Sequence, residues 1–287
     1  MTKKRKQQII YTGLLLLVML VGIAVTRLRE KTPPAEGELK VHFIDVGQAD
    51  CILVQSNGEN MLIDAGNNDD GDLVVAYLKK VGVTTLNYAV GTHPHEDHIG
   101  GLDVVLQNFP VDHLMMPKIS HTTKTFEDVL DVATDQSLSI QAPKQGDSFT
   151  LGNATVTAVN CLPPKQGDLN NASIMLRLDF GETSFLFTGD AEEEAEQAVL
   201  QSKVDISCTV LKVGHHGSSS SSTPAFLSAV NPRYAVIMCG RDNDYGHPHK
   251  EVKNNLEKRN ITVYLTDKQG TVTVVSDGKN LTWDTSL

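Results

Sequence analysis

The amino-acid sequence predicts an α/β protein with two mixed β-sheets and helices on their outer faces. Short apolar runs typical of strands alternate along the chain with helical periodicity. Two segments, residues 148–159 and 173–188, have the pattern of β-hairpins, which adds antiparallel pairing to the parallel pairing of βα units. The chain has 287 residues, 40% of them hydrophobic, and is long enough to bury one large core. These features indicate a mixed-sheet domain rather than a simple doubly wound fold.

The predicted elements follow one another from residue 39 onward. Strand-like runs at residues 41–46, 51–55 and 61–64 predict a meander, and a helical pattern at 71–81 followed by a strand at 87–91 predicts a βα unit. Later strands are predicted in the second half of the chain at residues 209–213 and 234–240. Further helices are predicted at residues 101–108, 123–134, 191–201, 224–230 and 248–259.

The first residues form a separate region. Four basic residues precede an uncharged apolar run at residues 9–25, with no convincing cleavage site after it. This pattern predicts an uncleaved single-pass transmembrane anchor at residues 1–26, and a cleaved, secreted form is the alternative. Residues 27–38 predict a polar linker, and residues 39–287 the folded domain. The leading basic residues favour a cytoplasmic N-terminus and a domain outside the cell membrane, although basic residues on the other flank weaken this bias.

The overall charge bears on the class of ligand. The net charge of −10 disfavours a broad basic surface for binding nucleic acid. A bound metal ion can reverse the local charge where chemistry takes place. A nucleic-acid ligand is therefore compatible with this chain only through a local site.

The cysteines are scattered singly, and no C-x-x-C spacing occurs. They are Cys51, Cys161, Cys208 and Cys239. A large domain does not need a disulfide for stability, so this spacing predicts buried free thiols. A disulfide in an exported protein is the alternative.

The most informative segment is T-H-P-H-E-D-H, which directly follows an apolar strand and precedes two glycines and a helix. It holds four candidate metal ligands, His93, His95, Asp97 and His98, within six residues. At a strand-to-helix turn, His93 and His95 can face one metal while Asp97 and His98 face a second. Nitrogen and oxygen donors suit zinc or manganese, so we predict two divalent metal ions. The alternative is a polar loop with solvent-facing histidines.

This motif resembles that of the metallo-β-lactamase superfamily, whose fold is a four-layer αββα sandwich. The resemblance implies that Asp64, in L-I-D-A-G, orients a ligand histidine, with capping of a turn as the alternative. It implies that Asp190, in F-T-G-D, bridges the metals, with capping of the next helix as the alternative. His215, with His216 as the second choice, matches the last ligand of the second metal, and a pair of loop histidines is the alternative.

One ligand implied by this resemblance has no match. The superfamily usually places a histidine shortly before the strands that lead to the bridging aspartate, where this chain has N-N-A-S. Asn171 is the expected substitute, through its carbonyl oxygen or a held water. The first metal then has fewer strong donors.

Four motifs together resemble the hydrolase domain of the ComEC competence family. They are D-V-G-Q-A-D from Asp45, the N-N-x-S segment, K-V-G-H-H-G-S from Lys212 and Y-G-H-P from Tyr245. The likeness covers residues 41–267. In that family the domain is attached to a many-helix DNA channel, whereas this chain has one apolar run, so we expect a stand-alone relative. The resemblance implies a nuclease or phosphodiesterase that acts on DNA or nucleotides outside the membrane.

The predicted function is therefore a two-metal phosphodiesterase or nuclease. Two metals can activate water and hold the attacking and leaving oxygens of a phosphodiester, with Asp97 and Asp190 in the reacting centre. His247 is a candidate acid for the leaving oxygen, or a turn histidine with no catalytic part. Ser218 begins a serine run before a helix start at Thr223-Pro224, where backbone amides can bind phosphate. A capped, solvated loop is the alternative.

Other functions stay open at this point. The anionic surface also suits a small-molecule carbonyl hydrolase of the lactonase or β-lactamase type, which an apolar pocket would identify. An incomplete ligand set at Asn171 suits a catalytically weak metal-binding or ligand-binding module. Docking on a separate DNA-uptake channel is compatible with catalysis. The sequence leaves open the physiological substrate, the metal and the oligomeric state.

Overall fold

The computed structural model describes residues 37–160, 162–163, 165 and 167–287. The predicted anchor, all but the end of the predicted linker, and Cys161 lie outside these residues. Within the described ranges, no helix has both the length and the apolar character needed to span a membrane. The other three cysteines, Cys51, Cys208 and Cys239, are buried free thiols, as predicted.

The described part of the chain forms fifteen strands, eight helices and three short 3-10 helices. The strands are β1 (Leu39–Phe43), β2 (Ile52–Ser56), β3 (Glu59–Ile63), β4 (Leu86–Val90), β5 (Val111–Met115), β6 (Ile140–Gln141), β7 (Ser148–Leu151), β8 (Ala154–Asn160), β9 (Met175–Phe180), β10 (Thr183–Phe187), β11 (Val210–Lys212), β12 (Tyr234–Ile237), β13 (Thr262–Leu265), β14 (Val272–Ser276) and β15 (Leu281–Thr285). The helices are α1 (Gly71–Lys80), α2 (Glu96–Ile99), α3 (Leu102–Asn108), α4 (Lys124–Asp135), α5 (Glu193–Ser202), α6 (Pro224–Val230), α7 (Lys250–Glu257) and α8 (Thr266–Gln269). The 3-10 helices are Asn68–Asp70, Asn170–Ala172 and Gly214–Gly217.

The strands form two mixed sheets of similar design. The first sheet has the order β15-β14-β1-β2-β3-β4-β5-β6, and the second β13-β12-β11-β10-β9-β8-β7. In the first sheet the strands from β15 to β3 pair antiparallel, and those from β3 to β6 pair parallel. In the second, β7 to β10 pair antiparallel and β10 to β13 parallel. Each sheet therefore joins a meander to parallel strands linked by crossovers.

Three apolar cores separate four layers. The central core lies between the sheets and includes Val41 and Phe43 from β1 and Phe185 from β10. A second core packs α1, α3 and α4 on the outer face of the first sheet, and a third packs α5, α6 and α7 on the second. Alternate residues of a strand point to opposite faces, so both faces of these sheets are buried. This arrangement confirms the predicted four-layer αββα fold.

The structure extends the sequence prediction at the C-terminus. Strands β14 and β15 form a hairpin to which the sequence analysis assigned no element, and β14 pairs with β1. The predicted strand at residues 41–46 starts earlier, at Leu39, and ends at Phe43. Its end is set by the D-V-G-Q-A-D segment, which leaves the sheet as a loop. The predicted helix at 191–201 begins two residues later, at Glu193.

Candidate metal centre

The candidate metal ligands come from loops that follow parallel strands of both sheets. The H-x-H-x-D-H loop follows β4, Asp190 follows β10, and His216 follows β11. Four side chains, Asp97, His98, Asp190 and His216, offer ligand atoms that all lie within 4.8 Å of one another. We call these four residues the cluster. It joins the two sheets at the ends of their parallel strands, which is where open α/β sheets usually bind ligands.

Asp64 holds His98 in one orientation. Asp64 Oδ2 lies 2.8 Å from His98 Nδ1 and accepts a hydrogen bond from the Thr92 hydroxyl at 2.7 Å. The backbone N–H of Thr92 donates to Asp64 Oδ1 at 2.8 Å. Because Nδ1 faces a carboxylate, the proton of the neutral ring belongs on Nδ1. The lone pair of His98 Nε2 is then directed into the cluster.

The loop that carries Asp64 lies directly against the loop that carries His98. The backbone N–H of Gly100 donates to Gly66 O at 2.9 Å, and Ala65 N donates to His98 O at 2.7 Å. A side-chain carbon placed on Gly100 would lie 2.2 Å from the backbone carbon of Asn67. This position therefore needs glycine to let the two backbones approach.

His216 is held in the same way from the second sheet. Its Nδ1 donates to the backbone carbonyl of Met238 at 3.0 Å, which places the proton of the neutral ring on Nδ1. Its Nε2 lies 3.2 Å from Asp97 Oδ2 and 3.5 Å from Asp190 Oδ2. Both buried histidines thus direct Nε2 at carboxylates in the cluster.

His93 and His95 form a second pair beside the cluster. His93 Nε2 lies 3.0 Å from His95 Nδ1, and the His93 ring lies 4.1 Å from that of His98 between centroids. His93 is fully buried, with Ser173 Oγ 3.3 Å from its Nδ1. The same Ser173 oxygen accepts a hydrogen bond from the backbone N–H of Asp190 at 3.2 Å. Ser173 therefore connects the pair to the loop of Asp190, a contact that the sequence analysis missed.

Charges in the cluster shift several pKa values in opposite directions. Burial disfavours a charged His216, but Asp190 and Asp50 outweigh burial and raise the pKa of His216 to about 10. The pKa of His98 is raised well above its usual value in spite of burial, because Asp190 and Asp64 lie beside it. Burial alone would raise the pKa of Asp190, but His98 and His216 hold it well below its usual range. The carboxylates thus create a strongly negative field that favours cations.

The residues present fit a divalent metal ion. His98 Nε2 and Asp190 Oδ1 are buried and lie 3.2 Å apart, yet their geometry gives neither atom a hydrogen bond. A buried polar atom left without a partner costs about 1–3 kcal/mol. An imidazole nitrogen and a carboxylate oxygen are both metal ligands. The other nitrogen of His98 and the other oxygen of Asp190 contact neighbouring side chains, and contacts of this kind orient metal ligands. A cation would therefore satisfy both atoms at once.

The structure favours His216 over His215, the first choice from the sequence, as a candidate metal ligand. Both residues have left-handed backbone angles, with φ of 48° and 52°. His216 is buried and belongs to the cluster, whereas His215 lies at its rim, with Nε2 3.6 Å from Asp190 Oδ2. His215 Nδ1 instead contacts Ser220 Oγ at 3.1 Å and Glu192 Oε1 at 3.0 Å. The chain reversal at two successive left-handed residues directs the second ring inward, which spacing alone does not reveal.

The structure does not bring the Asn171 side chain to the metal centre. Its Oδ1 accepts hydrogen bonds from the backbone of Glu192 and Ala195, at the start of α5, and its Nδ2 donates to Asp168. The oxygen of this amide thus caps the start of α5, and its nitrogen is engaged by Asp168. Asn170 lines the pocket instead, and its Oδ1 is buried without a hydrogen-bond partner. Asn170, which the sequence analysis passed over, is the amide that faces the site.

The serine run reaches the metal centre only at its rim, where Ser220 Oγ lies 3.1 Å from His215 Nδ1. Ser218 Oγ contacts Ser220 Oγ at 3.0 Å, within its own loop. The helix start at Thr223-Pro224 occurs as predicted, with the Thr223 hydroxyl capping Phe226 N. However, the buried carboxylate of Glu196 already accepts hydrogen bonds from the backbone N–H groups of Ser222 and Thr223. These amides are not available to a phosphate.

A polar pocket of about 320 Å³ opens over the cluster. Ten described residues line it, five of which are His95, Asp97, Asp190, His215 and His216. The other five are Gln48, Glu96, Asn170, Tyr245 and His247.

His247 lines this pocket as a neutral ring. Gln48 uses its oxygen to accept from Gly240 N at 3.0 Å, so its amide nitrogen donates to His247 Nδ1 at 3.2 Å. Burial and the nearby His216 and His215 lower the pKa of His247 to about 4. A neutral His247 carries its proton on Nε2. It is therefore a hydrogen-bond donor at neutral pH rather than a protonated acid.

A buried ion pair supports the cluster from behind. Lys212 Nζ lies 2.6 Å from Asp50 Oδ2, and both side chains are almost completely buried. Asp50 Oδ1 in turn lies 3.4 Å from His216 Nδ1. The D-V-G-Q-A-D and K-V-G-H-H-G-S motifs contain these residues, but only the tertiary structure pairs them.

Comparison with known proteins agrees with this geometry. The model of the metallo-β-lactamase superfamily matches residues 44–241. The ComE operon protein 3 of Bacillus subtilis is 31% identical over 258 residues, covering 84% of this chain and 33% of that protein. Competence protein ComA of Neisseria gonorrhoeae is 28% identical over 257 residues, covering 88% of this chain and 34% of that protein. The chain thus spans about a third of the length of these relatives.

The fold is also similar to a solved structure. The metallo-β-lactamase fold protein YhfI from Bacillus subtilis superposes with a TM-score of 0.51 and 14% sequence identity. The match covers 79% of this chain and 95% of that one. Identity this low supports the fold alone.

Proposed function

Because the chain belongs to the metallo-β-lactamase superfamily, we propose that it is a metal-dependent hydrolase, namely a two-metal phosphodiesterase that cleaves DNA or a nucleotide. The polar pocket carries this proposal. None of the ten described residues that line it is aliphatic. A carbonyl substrate with an apolar body needs hydrophobic walls, whereas an anionic phosphodiester needs hydrogen-bond donors and cations.

The ligand assignment follows the contacts of the side chains. We assign His93 and His95 to one metal and Asp97, His98 and His216 to the other, with Asp190 between them. When bound, divalent zinc or manganese ions would activate water and neutralise charge on the phosphate. Asp64 and the Asp50–Lys212 pair would orient the ligand histidines.

The remaining pocket residues bind and orient the substrate. The Nε2–H of His247 donates a hydrogen bond to a phosphate oxygen, and Gln48 fixes the tautomer that allows it. Asp97 stays ionised at neutral pH, because His98 and His216 outweigh burial and hold its pKa well below its usual range. Its carboxylate can therefore accept a hydrogen bond from the attacking water. The Nδ2 of Asn170 donates to Glu192, and its buried Oδ1 has no hydrogen-bond partner in the described part of the chain.

The relatives suggest a setting in DNA uptake. One of them is named a competence protein. We propose that this chain acts on DNA at the cell surface, with residues 1–26 as its anchor and the folded domain outside the membrane, and that it associates with a DNA-uptake channel. Protease treatment of intact cells should then digest the domain, and protection of the domain in intact but not lysed cells would contradict this orientation.

Hydrolysis assays test the activity. The purified full chain is incubated with bis-p-nitrophenyl phosphate and with a labelled single-stranded DNA, in the presence of Mn²⁺, Zn²⁺ or a chelator. A β-lactam and a lactone are tested in parallel. We expect phosphodiester cleavage that the chelator abolishes. Carbonyl hydrolysis without phosphodiester cleavage would favour a lactonase-type enzyme, and no turnover with any metal would favour a binding module.

A further inference from the structure

An exposed aromatic ring lies at the mouth of the pocket. Tyr245, in the loop between β12 and α7, is 68% exposed and lines the pocket. Three other large hydrophobic side chains are also exposed in the described part of the chain, Leu73, Ile140 and Leu287. None of these three lines the pocket above the cluster. The exposure of Tyr245 is thus tied to the site.

Tyr245 is the outer ring of a stack that leads to the metal centre. Its ring is nearly parallel to that of His247, with centroids 5.5 Å apart and planes 18° apart. The His247 ring is in turn stacked with that of His216, at 6.3 Å and 26°. A flat group stacked on the exposed face of Tyr245 would continue this series.

Hydrogen bonds hold the backbone of the loop that carries this ring. Asn243 Nδ2 donates to the backbone carbonyls of Gly240 at 2.9 Å and His247 at 2.7 Å, and Asn243 Oδ1 accepts from His247 N at 2.9 Å. The His249 ring contacts the Tyr245 carbonyl at 3.2 Å through Nε2. A side chain on a loop that is already ordered loses less conformational entropy when a ligand stacks on it.

The negative net charge and the lack of lysine or arginine among the described pocket residues make base stacking the favourable protein contact for a nucleic acid. The chain has a net charge of −10, and none of the described pocket residues is lysine or arginine. Proteins that rely on phosphate contacts use those two residues and bind weakly at high salt. Stacking on an aromatic side chain accepts any base, because every base has a flat π-face.

We propose that Tyr245 is a stacking platform for a nucleobase adjacent to the phosphodiester at the metal centre, and that the substrate is therefore single-stranded. This inference rests on the proposed function for the phosphodiester itself. In a duplex, the bases are stacked on one another and paired, so their faces are not free to stack on Tyr245.

Binding without turnover tests the inference. The full chain in mild detergent and chelator is titrated into a fluorescent oligothymidylate and into the same strand with stable abasic sites. Tyr245→Ala should weaken binding of the normal strand roughly tenfold and bring its affinity close to that of the abasic strand. Tyr245→Phe should keep the preference for bases. Leu73→Ala, which removes an exposed apolar side chain from α1, is the matched control and should change neither affinity.

The outcomes separate this inference from the proposed function. Equal weakening of normal and abasic strands by Tyr245→Ala would overturn the inference, as would duplex binding as tight as that of the single strand. Base-dependent binding through Tyr245 without phosphodiester hydrolysis in Mn²⁺ or Zn²⁺ would support the inference and refute the proposed function. Hydrolysis with no base preference in the wild-type chain would support the function and overturn the inference.

Discussion

At the scale of single residues, the carboxylate of Asp190 contacts three histidines of the centre. Its carboxylate contacts His98 at 3.2 Å, His216 at 3.5 Å and His215 at 3.6 Å. Its backbone is held by Ser173, and the preceding Gly189 takes a φ of 52°. Its carboxylate therefore contacts histidines carried by loops of both sheets, as expected for a residue that would hold a metal between them.

Replacing this carboxylate should remove activity while the fold remains. Asp190→Asn keeps the size of the side chain but removes its charge, so we expect loss of a metal and a fall in phosphodiester hydrolysis of more than roughly a hundredfold. Metal content and circular dichroism are measured with the rate. Asp72→Asn, on the exposed face of α1, is the control. Full activity of the Asp190 variant would refute its assignment as a ligand.

The Asp50–Lys212 pair acts through charge compensation in the interior. Lys212→Met leaves the buried Asp50 without its partner, which typically costs about 3–5 kcal/mol of stability. In the double variant Asp50→Asn/Lys212→Met, no uncompensated charge remains, so much of this loss should be recovered. Urea unfolding of the two variants measures the difference. A single variant as stable as the wild type would show that the pair is not needed to balance charge.

At the scale of elements, a buried histidine outside the cluster lies between β1 and α1. His42 is completely buried, with Nδ1 2.9 Å from the Tyr77 hydroxyl and Nε2 3.2 Å from Gln55 Oε1. Burial and the charge of Lys40 lower the pKa of His42 from 6.5 to about 3. This ring therefore stays neutral in the folded protein over the whole physiological range.

This shift makes folding sensitive to acid. The unfolded chain takes up a proton on His42 near pH 6.5, but the folded chain does so only near pH 3. Between these values the unfolded state binds one more proton, so the free energy of unfolding falls as the pH drops. Between pH 7 and pH 5, the free energy of unfolding should fall by about 2 kcal/mol less in the His42→Gln variant than in the wild-type chain. Urea unfolding at both pH values measures this loss, and identical losses in the two proteins would contradict the pKa shift.

At the scale of the whole molecule, the metal centre joins the two sheets. Metal bound there would crosslink loops from both halves, and only the folded chain presents the ligands together. Ligands that bind only the folded state raise its stability, by about 2.7 kcal/mol at a concentration a hundredfold above Kd. We therefore expect a chelator to lower the midpoint of thermal unfolding, and re-addition of Mn²⁺ or Zn²⁺ to restore it.

Metal binding should also release protons. Without metal, the pKa of His216 is raised to about 10 and that of His98 is raised as well, so both rings hold a second proton more strongly than a free imidazole does. A metal must displace these protons, and its affinity should rise as the pH is raised through the neutral range. Calorimetric titrations in two buffers with different ionisation enthalpies measure the number released. A binding enthalpy that is independent of the buffer would argue against these residues as ligands.

Patterns that are local in the chain were sufficient to predict much of the molecule. Hydrophobic periodicity and hairpin patterns predicted the two mixed sheets, because the spacing of apolar residues within an element reflects which of its faces are buried. The helix start at Thr223-Pro224 and the buried thiols are likewise properties of a few adjacent side chains. The four candidate ligands of the H-x-H-x-D-H loop stand within six residues, so their proximity needs no knowledge of the fold.

Contacts between distant segments were decided by the tertiary structure alone. His216, rather than His215, enters the cluster because the Met238 carbonyl and the chain reversal aim its ring. Asn171 is drawn away by the start of α5, and Glu196 occupies the amides that the serine run was expected to offer. The physical reason is that a buried polar side chain forms hydrogen bonds with the partners that lie close enough to it. Which partner is within reach depends on how the two sheets pack.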